Sequence, residues 1–375
     1  MKENYLGKDI PKLGFGLMRL PEIDGVIDIE QVKKMVDLFI EAGFSYFDSA
    51  YVYHGGKSEE AIKTAIIDRH PREKVKIATK LPLWNMNVDV RKVFNEQLER
   101  TGAGYFDFYL IHGLGLERCN TPGIEKVFEV LAELKAEGKI KHLGFSTHDN
   151  AENVDKILTM RPELEFVMVQ FNYVDYESAG VQARGCYEAA LKHNVPITFM
   201  EPVRGGTLVT LPDEIVTMYK GINPDDSIAS WAIRYCLEFK EGLITVLSGM
   251  SSIEQVEDNL KTMKNYRPLS GEEKAAIARA VEIIKGIDQI PCTYCRYCVD
   301  DCPQKINIPG FIRVDNEYRI YKNMTVAKRS MGFVRGAGGT PGDCTSCGAC
   351  EKMCPQNIKI IDLFNDFKET FLKQA

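Results

Sequence analysis

Two short cysteine runs constrain this chain more than any other feature. Cys292, Cys295, Cys298 and Cys302 follow the spacing C-x2-C-x2-C-x3-C with Pro303 next, and Cys344, Cys347, Cys350 and Cys354 repeat it ahead of Pro355. The chain has 11 cysteines, and those beyond residue 290 all belong to the two runs. Residues 1–8 contain no apolar core of a secretion signal, so the expected compartment is the reducing cytoplasm. Clustered thiols there bind metal rather than pair as disulfides. Four-cysteine zinc sites draw on two CxxC pairs separated by a longer loop, and a triple CxxCxxC closed by Cys-Pro departs from that pattern. The isolated Cys119, Cys186 and Cys236 read as small core residues.

The spacing resembles that of bacterial two-cluster ferredoxins, in which the fourth cysteine of each run ligates the other cluster. The resemblance implies two [4Fe–4S] clusters. Cys292, Cys295, Cys298 and Cys354 would hold one, and Cys302, Cys344, Cys347 and Cys350 the other. One departure stands out. Residues 304–343 form an insert longer than a minimal ferredoxin needs, with a helix expected over 315–324 and a glycine-rich tail over 332–342. It is read as packing against the preceding domain or shielding the clusters.

Upstream, β-rich runs alternate with helical patterns, the signature of a parallel α/β sheet. Strands are expected at 13–17, 46–49, 75–79, 107–111, 142–146, 166–171, 197–200 and 243–247. In 123–138, Ile124, Val127, Phe128, Leu131 and Leu134 recur at helical spacing, and 252–264 repeats this with Ile253, Val256, Leu260 and Met263. Eight such units have the size of a (β/α)8 TIM barrel, whose chemistry lies at the carboxy-terminal strand ends. A doubly wound sheet would want G-x-G-x-x-G after its first strand, but Gly14-Phe15-Gly16 lacks the third glycine. The expected organisation is therefore a barrel over 1–268, a connecting helix over 269–290 opened by Ser270-x-x-Glu273, and a ferredoxin-like domain over 291–375.

Bulk properties narrow the partners. No apolar run approaches the roughly 20 residues that span a bilayer. A net charge of -6, with no basic cluster larger than a pair such as Lys328-Arg329, argues against nucleic-acid and membrane-surface binding.

Ionisable residues end three of the expected strands: Asp48, Lys80 and His112, with Tyr53 in the loop after Asp48. Here the chain resembles the aldo/keto reductase family. The motifs are Phe47-Asp48-Ser49-Ala50 with Tyr53, Ala78-Thr79-Lys80, Tyr109-Leu110-Ile111-His112, Gly144-Phe145-Ser146, Val169-Gln170-Phe171-Asn172 and the stretch 248–259. The resemblance implies NADPH- or NADH-dependent reduction of a small carbonyl compound, with Asp48, Tyr53, Lys80 and His112 as the catalytic tetrad. A carbonyl that receives hydride needs a proton at oxygen. Tyrosine can donate it if a neighbouring ammonium stabilises the phenolate. By the same resemblance Ser146 and Gln170 contact the nicotinamide carboxamide, Met200 stands at the ring-stacking position, and Asn259 contacts adenine. Ser251 and Ser252 open a helix whose amides favour phosphate, while Gln255 also fits a simple helix cap. Gly249 and Gln255 stand where NADPH-specific relatives place cations, and Arg204 is a candidate for the pyrophosphate.

Hydride transfer moves two electrons, whereas each cluster passes one, and no flavin motif bridges them. Two readings follow. In the first, a reductase carries clusters for structure or for exchange with an external ferredoxin or flavoprotein. In the second, an electron-transfer or redox-sensing protein uses the barrel as a nucleotide-binding docking platform. Trp84 and residues 114–121 are expected pocket walls.

Overall fold

The computed structural model describes residues 5–83, 88–292, 296–336, 338–354 and 356–373. Trp84, Cys295 and Pro355 lie outside them. By contact, the chain divides into one unit of Met1–Gly205 with Asp225–Glu272, and another of Gly206–Pro224 with Glu273–Ala375.

The first unit contains a closed parallel barrel of β1 (Leu13–Gly16), β2 (Tyr46–Asp48), β3 (Lys76–Leu81), β4 (Phe106–Ile111), β5 (Ile140–Thr147), β6 (Phe166–Gln170), β7 (Ile197–Met200) and β8 (Leu243–Ser248). Leu13 of β1 faces Val246 of β8, which closes the ring. Each expected strand is present. Between and after them run α1 (Ile29–Glu41), α2 (Lys57–Ile62), α3 (Val90–Thr101), α4 (Ile124–Ala136), α5 (Ala151–Met160), α6 (Ala183–Lys192), α7 (Ile228–Leu237) and α8 (Ile253–Lys264). Local chemistry fixes many helix starts. Asp28, Asp89, Asn150, Ser227 and Ser252 each accept a hydrogen bond from the amide three residues on, an N-cap worth about 1 kcal/mol.

Side chains alternate across each strand. Phe15, Phe47, Ile77, Tyr109, Phe145, Val167 and Phe199 belong to the large apolar core that includes the helices, while Tyr46, Ala78, Phe108, Leu110, Phe166 and Met168 form a separate inner cluster. Phe108 packs 5.1 Å from Tyr46 and 5.2 Å from Phe166, ring to ring. Gly144 makes room, because a Cβ there would lie 2.4 Å from the Phe166 carbonyl oxygen. Two residues further along each strand, the same inward period reaches Asp48, Lys80, His112, Ser146, Gln170 and Met200. The barrel core thus ends in a polar rim.

The second unit has α9 (Gly271–Gly286), α10 (Ile308–Tyr321), α11 (Met324–Arg335) and α12 (Ile360–Phe367), together with the helix Asp213–Ile222. Its core gathers Ile306, Ile308, Phe311, Ile312, Phe364, Phe367 and Phe371 around Cys298, Cys302 and Cys350. The insert differs from the helix expected over 315–324. It holds two helices, and the expected segment straddles their junction. Pro309 occupies the first turn of α10, where proline's missing amide costs nothing, so the helix starts earlier. Lys322 then ends α10 in a left-handed conformation, and Asn323 caps α11 through the Val326 amide.

Candidate active site

Lys80 is 1% exposed and Asp48 3%. Two buried charges persist only when paired and hydrogen-bonded. Lys80 Nζ donates to Asp48 Oδ1 at 2.5 Å and to the Ser49 carbonyl at 2.6 Å, and it also hydrogen-bonds Tyr53. The ammonium lies 5.0 Å from the centre of the Tyr53 ring, whose edge-to-face partner at 5.9 Å is the His112 imidazole. The four residues expected to act together are therefore neighbours. Tyr53 begins a tight turn, Tyr53–Gly56, in which His54, Gly55 and Gly56 are left-handed.

The electrostatics follow from burial. Burial lowers the Lys80 ammonium, but Asp48 and Tyr53 together raise it, so the net direction is up and the group stays charged. The Asp48 carboxyl is raised by burial, against the pull of Lys80. For Tyr53, too, burial outweighs the lowering by Lys80, so its phenol ends above the usual value and retains its proton. Lys80 therefore stabilises the phenolate and restrains the rise that burial imposes, without bringing the phenol below its usual value. Burial pushes His112 down to about 3, with Lys80, His148 and Arg118 adding repulsion, so this imidazole is neutral near pH 7.

A second polar layer went unread in the sequence. Glu59, fully buried, accepts from Thr79 Oγ1 and Gln97 Nε2, each at 2.7 Å, and pairs with Arg100 at 3.4 Å. Gln97 Nε2 also donates to the Lys80 carbonyl at 3.1 Å, and its Oε1 accepts from Tyr109 at 2.6 Å. The network clamps the backbone that carries Lys80. Its one sequence signal was an acid, Glu59, on a six-residue helix that also buries Ser58, Ala61 and Ile62.

Toward β5–β8, Ser146 Oγ accepts from the Gly113 amide at 3.0 Å. Gln170 Nε2 and Asn172 Nδ2 both donate to Asp175 Oδ2 at 2.7 Å, and Arg204 Nε reaches the same oxygen at 3.2 Å. Asp175, 1% exposed, thus organises three groups and was also missed. Arg19, three residues past β1, was missed as well. It pairs with Glu201 at 3.3 Å, and its guanidinium would lie 3.3 Å from a Cβ on Gly205 and 3.5 Å from one on Gly249. Arg19 Nε is buried without a hydrogen-bond partner among the described residues, a vacant donor suited to an anionic group. At the start of α8, Ser252 Oγ caps the Gln255 amide at 3.4 Å. Gln255 Oε1 returns to the Ser251 amide at 2.7 Å, one residue short of a true capping box. Asn259 is buried and donates to Ser248 Oγ at 2.6 Å.

In the second unit one cavity is lined by Cys302, Cys344, Cys347 and Cys350, together with Ile306, Ile308 and Phe364. The set combines the last cysteine of the first run with the first three of the second. Burial raises the Cys350 thiol to about 11, with Cys344 and Cys302 adding to the rise. Both runs share a backbone pattern. Arg296 and Gly348, each one residue past a second cysteine, are left-handed (φ 67° and 75°), and so are Lys305 and Asn357, each three past a fourth cysteine (φ 50° and 52°). Alternating hands turn successive amides to one side, the nest that favours anionic cluster sulfides. Cys292, Cys298 and Cys354 belong to the same core; Cys295 is outside the described residues. Among the described residues no three His, Cys, Asp or Glu side chains converge as on a single metal ion. Cys119, Cys186 and Cys236 are buried in the barrel unit, and burial raises all three thiols.

Comparison with known proteins gives two family matches: the aldo/keto reductase family over residues 12–282, and a 4Fe-4S dicluster domain over 291–359. The uncharacterized oxidoreductase YqkF of Bacillus subtilis is 25% identical over 312 residues, covering 74% of this chain and 95% of that one. The holo form of the aldo-keto reductase AKR11C1 from Bacillus halodurans superposes with a TM-score of 0.60 at 25% identity, covering 75% of this chain and 96% of that one. An aldo-keto reductase from Klebsiella pneumoniae in complex with NADPH matches in fold, with a TM-score of 0.61 at 21% identity over 74% of this chain and 95% of its own.

Proposed function

Because the chain belongs to the aldo/keto reductase family and carries a 4Fe-4S dicluster domain, we propose that its barrel reduces an aldehyde or ketone to an alcohol with NADPH or NADH. The observation that carries this reading is the buried chain Asp48–Lys80–Tyr53 with His112 beside it. A bound nicotinamide would supply the hydride. Ser146 and Gln170 are assigned to its carboxamide, Arg204 to the pyrophosphate, and Ser251, Ser252, Gln255 and Asn259 to the adenosine end. The vacant Nε of Arg19 supports an anion in the same region.

The chain's own groups then do the following. Tyr53 holds the proton, because burial keeps its phenol neutral, and gives it to the carbonyl oxygen. Lys80 lowers the cost of the phenolate left behind, and Asp48 keeps Lys80 charged and aimed. Neutral His112 hydrogen-bonds the same oxygen and orients it, without acting as the acid. A nucleotide-sensing platform has no need of a buried, charge-supported phenol, so the reductase is the better reading.

For the second unit we assign two [4Fe–4S] clusters in the crossed pattern, with Cys302 joining Cys344, Cys347 and Cys350 and with Cys354 joining Cys292, Cys295 and Cys298. The shared cavity supports the first of these sets. Such clusters supply one-electron exchange, here with an external ferredoxin or flavoprotein. Among the described residues no helix is long and apolar enough to cross a membrane. Clustered metal-binding thiols are suited to a reducing compartment, and on that ground we propose the cytoplasm. Tyr53→Phe is the test of the barrel reading. Carbonyl-dependent NAD(P)H oxidation should fall about 10²- to 10⁴-fold, the usual worth of a general acid. Nucleotide binding, followed by fluorescence quenching, should persist. Retention of turnover by this variant contradicts the assignment.

A further inference from the structure

The insert between the cysteine runs has a composition unlike the rest of the chain. Residues 304–343 carry seven basic residues against three acidic ones, in a chain whose net charge is -6. Both of its helices belong to the second unit. α11 buries Ala327 and Val334 in the thiol-lined core and turns Lys328, Arg329, Phe333 and Arg335 outward, with Lys322 exposed just ahead of it. Phe333 is 64% exposed. The three acids are held by neighbours. Asp315 pairs with Arg319 at 3.1 Å, Glu317 accepts from Ser330 at 3.5 Å, and Asp343 accepts from the Thr340 amide and hydroxyl at 2.8 Å.

Hydrogen bonds from a side-chain amide and from backbone tie α11 and its tail to the chain that lines the cysteine cavity. Asn307, between the cavity-lining Ile306 and Ile308, donates to the Val334 carbonyl at 3.0 Å. The tail after α11 lies along the chain that leaves Cys302. The Gly339 amide donates to the Gln304 carbonyl at 2.9 Å, and a Cβ on Gly338 would sit 2.0 Å from the Lys305 carbonyl oxygen. Only glycine permits so close an approach. The outer face of α11 is therefore about one helix diameter, some 10–12 Å, from the core that holds the thiols.

Resting on the cluster assignment above, we propose that this helix docks a small acidic one-electron carrier protein, with Phe333 as the apolar anchor, Arg329 one turn before it on the same flank, and Lys328 and Arg335 seven residues apart on the adjoining flank. In the exchange, one electron leaves the reduced carrier and enters an oxidised [4Fe–4S]2+ cluster. The products are the oxidised carrier and the 1+ cluster, and no bond is made or broken. An exposed aromatic on a helix whose outward positions are otherwise largely cationic fits an acidic protein surface, where charge speeds encounter and an aromatic anchor provides residence. The remainder of the chain is more acidic than its total, so an extended polyanion such as nucleic acid or an anionic bilayer meets repulsion beyond the patch.

The test uses anaerobically purified holoprotein and a reduced acidic [2Fe–2S] ferredoxin as the probe. Binding is read by calorimetry and electron transfer by stopped-flow bleaching. Wild type should bind saturably at low salt and lose affinity as salt rises. Phe333→Ser and the double variant Lys328→Glu/Arg335→Glu should each weaken binding and slow transfer about tenfold or more, as expected for steered association. Iron content and NAD(P)H-dependent carbonyl reduction should stay unchanged. Absence of saturable binding, or equal binding by the variants, overturns the proposal. So does a wild-type dimer that the variants lose, which would give the face to a second copy. A preparation without iron overturns the cluster assignment and this docking site together, whereas iron without docking overturns the docking site alone.

Discussion

The barrel rim and the cysteine core solve opposite problems. At the rim, the reactive groups are centred on a buried charge pair already formed by the fold: Lys80 is hydrogen-bonded to Asp48, to the Ser49 carbonyl and to Tyr53. In the other unit the reactive groups are thiols set in an apolar core, with Cys350 raised to about 11 by burial and by its neighbouring thiols. A thiol must lose its proton to bind metal, so such a site is completed by the group it binds. The first site is organised by the fold alone, whereas the second depends on what it holds. The hydride site should therefore tolerate perturbation of the clusters, and the reverse should also hold.

Four perturbations break or sharpen this contrast. The largest effect is expected from Lys80→Met, which leaves the Asp48 charge buried without its partner. Removing one member of a buried pair costs about 3–5 kcal/mol, so urea unfolding of the barrel should shift by that amount as carbonyl reduction disappears. Cys302→Ser should come next. Under the crossed assignment it removes the cluster shared with Cys344, Cys347 and Cys350. About half the iron should be lost while carbonyl reduction is spared. Loss of the other cluster, seen as reduced-state spectra that still report the second run, would reverse the assignment.

A smaller effect concerns pH. His112 is lowered from an ordinary value near 6.5 to about 3 in the fold, so between those values the unfolded chain takes up a proton that the native one refuses. Stability therefore falls as pH drops from about 6.5 toward 3, and His112→Gln should flatten that part of the urea-midpoint profile. In the same window kcat/KM should show no limb that His112→Gln removes. The smallest effect is expected from Glu59→Gln, which keeps the shape of the network but loses its charge-assisted bonds. A drop of about 1–2 kcal/mol in stability, with kcat nearly preserved, would mark the network as support rather than chemistry.

Much of both sites could be read from the sequence because each rests on short-range regularity. The inward period that places Tyr46 in the barrel core also places Asp48 at the rim, and likewise Ala78 and Lys80. The cysteine spacing is local by nature. What escaped depends on distant partners. Glu59 matters because Thr79 and Gln97 converge on it, and Asp175 because Gln170, Asn172 and Arg204 do. Asp175 looks locally like an ordinary surface acid, and Glu59 departs from one only by its place among the buried residues of α2. The insert was misread for a different reason. Pro309 reads as a breaker in isolation, yet it stands in the first helical turn. The net electrostatic effect on Tyr53 was also beyond a pairwise reading, since Lys80 could be named from the motif but the depth of burial could not.

The central claim is that the barrel passes hydride directly to a carbonyl, without sending electrons through the cysteine core. The most direct measurement uses NAD(P)H deuterated at the transferring position of the nicotinamide, a carbonyl substrate, and holoprotein compared with cluster-stripped protein. Direct transfer predicts deuterium on the carbinol carbon of the product, one per turnover, in both preparations. Passage through the clusters would instead release the label to water and fail once the iron is removed, and that result would contradict the account.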